Sequence, residues 1–183
     1  MEVVTWDYVE RSFSEIRAAY FPEWDHESYW RVVLSDNRQY KGATGYCDSK
    51  QRIVSVRSFV FQMSLGGVRA FLCHEICHDV AASGHNRRWG QRMEAVAQLA
   101  LLAGEQEMAD VIRSEIYAYA GPGVLQDYTE DSVTSLADDI LKRNPSMRLD
   151  ALVVRLAGHF GYRRNKLERD WGMVLRALRQ EYT

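Results

Sequence analysis

The stretch "LGGVRAFLCHEICHDVAASGHN", residues 65–86, constrains this chain more than any other. Its pattern is helical from Leu65 to about Ala82, and "SGHN" stops it, with Gly84 suited to a C-terminal cap. His74 and His78 stand four residues apart, so both imidazoles project from one face about one turn apart. That spacing lets two neutral nitrogens reach one tetrahedral Zn²⁺ at about 2.0–2.1 Å each. Glu75 is rotated away from the pair and makes a poor ligand. It can still reach a water held at the metal, where a general base is needed.

A third protein ligand is then required. His85, just past Gly84, is the first choice, because a chain leaving the helix there can fold back over the site. Glu94, on the next helical stretch, competes with it. Asp79 follows His78 directly, points away and ranks third. Cys73 and Cys77 share a neighbouring face; they read as small buried residues, with a Cys/His zinc site as the alternative. With Cys47 they make three cysteines, an odd number that does not suggest a disulfide framework.

The rest of the chain reads as α+β. "TWDYVERSFSEIRAAYF" is a helix ended by Pro22, and "YWRVVLS" and "RIVSVRSFVF" have strand chemistry. Turn formers separate those two segments, so two or three antiparallel strands are expected. "RRWGQRMEAVAQLALLAG", ended by Gly104, and "EQEMADVIRSEIYAYA" are further helices. "GPG" at 121–123 is the clearest break. Beyond it come helical stretches at about 132–143, 148–160 and 165–181, the last with a stripe of Leu167, Trp171, Val174, Leu175 and Leu178. The expected domains are therefore residues 1–120 and 132–183, with 121–131 as a linker. No run approaches the roughly 18 apolar residues of a membrane span, and the N-terminus lacks a signal-peptide apolar region. A cytoplasmic protein with no membrane partner is the expectation.

Charge divides unevenly along the chain. Residues 1–120 carry 13 Lys+Arg against 16 Asp+Glu, and residues 142–183 carry 10 against 4, or +6. The C-terminal stretch suits an anionic partner. Within it, "LAGHFGYRRNKLERDW" has helix-turn-helix spacing, with Ala157 small, Gly161 at the turn and Leu156, Phe160, Tyr162 and Leu167 apolar.

"HEICH…GHNRRW" resembles the SprT-like (Spartan-like) zinc metalloproteases in its HExxH helix, its third His preceded by Gly, and the aromatic Trp89 four residues on. "YKGATGYCDSKQRIVSV" is similar to the hairpin and strand that precede the active-site helix in that family. The resemblance spans roughly residues 5–105. It implies a zincin-like core of helix, small antiparallel sheet, HExxH helix and following helices, with His74, His78 and His85 on Zn²⁺ and Glu75 as base. "KLERDW" resembles the end of the recognition helix in DeoR-like repressor domains. That implies a C-terminal three-helix, helix-turn-helix-like bundle whose Arg163, Arg164, Asn165, Lys166 and Arg169 face DNA. A bundle that serves only as scaffold is the alternative.

Three functions follow as expectations. The first is a zinc endopeptidase that cuts proteins at or crosslinked to DNA. The second is an ImmA/IrrE-like protease that cleaves a particular repressor. The third is a DNA-binding regulator whose metal is purely structural.

Overall fold

The computed structural model describes residues 3–35 and 45–182. Among them are seven α-helices and a three-stranded sheet. The chain divides into two compact units, Met1–Gly84 with Arg92–Glu115 and His85–Gln91 with Ile116–Thr183.

In the first unit, helix α1 (Trp6–Tyr20) starts where the Thr5 hydroxyl accepts the Tyr8 N–H at 3.2 Å. It buries Val9, Phe13, Ile16 and Tyr20, a stripe at helical spacing. Strands β1 (Arg31–Leu34), β2 (Gly45–Asp48) and β3 (Ile53–Val56) pair in the order β1-β3-β2. β3 is buried at all four positions, and "IVSV" can sit between two neighbours because three of its four side chains are β-branched and apolar.

The antiparallel expectation holds for β2 and β3, joined by a turn in which Asp48 Oδ1 accepts the N–H groups of Lys50 and Gln51. It fails for β1, which runs parallel to β3. The central place belongs to the most buried strand, so among the described residues β1 and β2 occupy opposite edges. Residues 36–44, which hold most of the turn-rich stretch between them, lie outside the described residues.

Helix α2 (Leu65–Val80) runs through the core of this unit. β2 lies against it at Gly45, where a Cβ would stand 2.4 Å from the Phe71 ring and 2.6 Å from the Ser55 carbonyl. Only glycine allows that approach. Helix α4 (Gln106–Glu115) also packs on α2. Arg69 of α2 ties this assembly together with bonds to Glu105 at 2.6 and 2.9 Å and to Glu15 at 2.7 Å.

Helix α3 (Arg87–Leu102) begins at Asn86, whose side-chain oxygen accepts the N–H groups of Arg88 and Trp89. It ends at Gly104 (φ 80°), where Gly104 N–H bonds Leu101 O and Glu105 N–H bonds Ala100 O, a Schellman motif.

In the second unit, helices α5 (Glu130–Arg143), α6 (Leu149–His159) and α7 (Arg164–Gln180) enclose one apolar core that includes Val133, Leu141, Leu152, Leu156, Phe160, Leu167 and Leu175. α6 ends in a second Schellman motif. Gly161 (φ 67°) donates to Gly158 O and Tyr162 donates to Ala157 O, which turns the chain into α7.

The expected linker belongs to this unit, as does the segment 85–91. Gly121 (φ 104°) lies under the end of α6, where a Cβ would meet Gly158 O at 2.3 Å; a Cβ on Gly123 would meet the His159 ring at 1.9 Å. The glycines mark close packing here as well as a break in helical structure. Among the described residues no helix is long and apolar enough to cross a membrane.

Candidate metal centre

α2 starts at Ser64, whose hydroxyl accepts the Gly67 N–H at 3.1 Å. Its apolar side chains, from Val68 through Ile76, are buried. The helix stops at Ala81, whose N–H reaches Cys77 O, and not at Gly84, which does not take a left-handed conformation. Two polar side chains are carried inside with the apolar ones, His74 (9% exposed) and Glu75 (4%), while His78 is half-buried. Buried polar groups need partners, and the imidazoles have them.

His74 Nδ1 lies 3.1 Å from Glu115 Oε2, and His78 Nδ1 lies 3.2 Å from the Ala82 carbonyl. A carboxylate and a carbonyl only accept, so each Nδ1 carries its hydrogen and each Nε2 keeps the lone pair. That tautomer is the one metal-binding histidines adopt when their other nitrogen is held by an acceptor. The two rings lie 4.9 Å apart between centroids. Burial lowers the His78 pKa, and the neighbouring His74 lowers it further against the raising effect of the Ala82 bond, which favours the neutral ring a metal requires.

The structure brings His85 to this pair: one ligand atom from each of His74, His78 and His85 lies within 4.8 Å of the others. This group can hold a metal ion. Three neutral imidazoles form the protein ligand set of one type of catalytic zinc site, and the orientation of the two helical ones fits that set. His85 itself is exposed and precedes the capped start of α3. Its ring stacks on Tyr119 (centroids 4.8 Å, 24°) and meets the edge of the fully buried Trp89 (4.8 Å, 85°).

The other candidate ligands are engaged elsewhere. Glu94 receives Arg113 through two bonds, at 2.9 and 3.2 Å. Asp79 accepts from the Trp24 indole and from the Ser49 hydroxyl. Cys73 and Cys77 are fully buried, and burial raises both thiols, Cys77 to about 12, which disfavours the thiolate that metal binding needs.

Glu75 is the remaining polar group. Its Oε1 lies 3.3 Å from the position a Cβ on Gly45 would take, so the carboxylate faces the first residue of β2. Burial pushes its pKa up to about 7; the nearby His74 pulls it down and Glu115 pushes it up.

Two residues of this centre were absent from the sequence reading, Glu115 and Tyr119. Neither has a local signal, since each meets its histidine only through folding.

At the second candidate site, Arg163, Arg164, Asn165 and Arg169 are exposed around the start of α7. Arg164 pairs with Glu168 and Arg169 with Asp170. Lys166 is half-buried, bonded to Asp170 at 2.7 Å and placed over the rings of Tyr128 and Tyr162. Between α5 and α6 lies a groove of about 300 Å³ that places Arg143 and Arg155 together with Asp139 and so carries both signs of charge. Compared with protein-family models, curated proteins and solved structures, the chain matches none.

Proposed function

We propose that this chain is a zinc-dependent endopeptidase of the SprT-like kind, acting on proteins at or crosslinked to DNA. The observation that carries this proposal is a buried carboxylate, Glu75, next in sequence to one member of a three-histidine group that can hold a metal. Zn²⁺ bound by His74, His78 and His85 would supply Lewis acidity toward a carbonyl and lower the pKa of water.

The chain supplies the rest. Glu75 takes the proton of the attacking water at its carboxylate and delivers it to the departing amine nitrogen. Among the described residues β2 is an edge strand of its sheet, and its first residue faces Glu75, so an extended peptide can pair along it beside the base. The exposed cations at the start of α7 and the +6 charge of residues 142–183 support recruitment to a polyanion.

Proteolysis of a DNA-bound protein, measured with and without DNA and beside Glu75→Gln, tests the proposal. The variant should keep its zinc and lose about 10²-fold or more in rate. Cleavage by Glu75→Gln at the wild-type rate would remove Glu75 from the mechanism.

A further inference from the structure

We infer that Tyr119, carried on the turn after α4, is a positioning residue for His85 and holds the third ligand's ring in place. The inference rests on the metal-centre proposal and adds to it a residue that touches no metal. His85 lies in an irregular, exposed stretch between α2 and α3, where no helix or strand fixes its ring. Its orientation therefore depends on what packs against the imidazole.

Two aromatic rings do so, Trp89 by its edge and Tyr119 by its face. Trp89 is buried and belongs to the helix that His85 precedes. Tyr119 is 57% exposed, so its ring is not held there by burial in a core.

The backbone beneath it is unusual as well. α4 ends at Glu115, the residue bonded to His74, and Ile116–Ala120 continues as a π-helix. Such turns are rare, and their i→i+5 bonding advances each residue through a smaller angle than an α-helix does. Glu115 and Tyr119 belong to one continuous segment, and each meets a different histidine. Ile116 and Ala120 are buried and anchor the turn.

Tyr119→Phe keeps the ring and Tyr119→Ala removes it. The test compares Zn²⁺ affinity by chelator competition, and the visible spectrum of the Co²⁺-loaded protein, for wild type and both variants as full chains. Tyr119→Phe should bind Zn²⁺ like wild type, and Tyr119→Ala about 10-fold more weakly or worse, with an altered Co²⁺ spectrum. Tyr119→Leu, which keeps bulk without aromaticity, should resemble Tyr119→Ala and guards against a simple packing defect. Wild-type affinity and spectrum in Tyr119→Ala would overturn the inference. A wild-type chain that binds no Zn²⁺ would instead overturn the metal-centre proposal beneath it.

Discussion

At the candidate metal centre, Glu115 shows how much one residue outside the three histidines can settle. Its carboxylate fixes the hydrogen on His74 Nδ1 and so directs the ring's lone pair to Nε2. Glu115→Ala should therefore weaken Zn²⁺ binding about 10–100-fold, read by chelator competition. Glu94→Ala, which loses a pair with the partly exposed Arg113 and a bond from Gln98, should leave Zn²⁺ affinity unchanged. His85→Ala should fall with Glu115→Ala. A stronger loss in Glu94→Ala than in His85→Ala would move the third ligand to the glutamate. The i,i+4 pair and Glu75 were legible because helical spacing alone places them. Glu115 was not, because its partner lies 41 residues earlier and only the packing of α4 on α2 joins them.

The sheet and its contact with α2 show the same limit among elements. Of the expected strand "RIVSVRSFVF", only Ile53–Val56 is one, its three apolar β-branched side chains in keeping with its central position, while Ser58–Gln62 turns into a 3₁₀-helix. Which edge β1 occupies, and in which direction, depends on what the sheet packs against, and no residue of β1 encodes it. Gly45 is the tightest point of that packing. Gly45→Ala should cost about 1–3 kcal/mol, because the new methyl overlaps the Phe71 ring and the Ser55 carbonyl. A urea midpoint unchanged from wild type would mean that β2 and α2 separate easily. In the C-terminal helices, Gly161 was legible as a turn residue, and its left-handed conformation follows from the termination of α6.

For the molecule as a whole, folding pairs some of the cations that the sequence gathers toward its C-terminal part. The +6 of residues 142–183 suggests a basic surface, yet Arg164, Lys166 and Arg169 each pair with an acid on the same helix. If α7 engages duplex DNA, log affinity should fall with log salt by about 0.9 for each phosphate contacted. Arg163→Ala and Arg164→Ala should flatten that slope in a full-chain titration, whereas Lys166→Ala should alter it less, its ammonium being held between Asp170 and two tyrosines. Equal effects from all three would mean that the Lys166 pair opens on binding. The sequence by itself determined most of the helices, the glycine turns at Gly104 and Gly161 and the His74–Glu75–His78 constellation, because hydrogen bonds and side-chain periodicity within one segment fix them. The sheet order and the support from Glu115 and Tyr119 were decided only by tertiary structure. Each joins residues far apart in the chain, and such contacts are selected by the burial of whole faces, which no local pattern records.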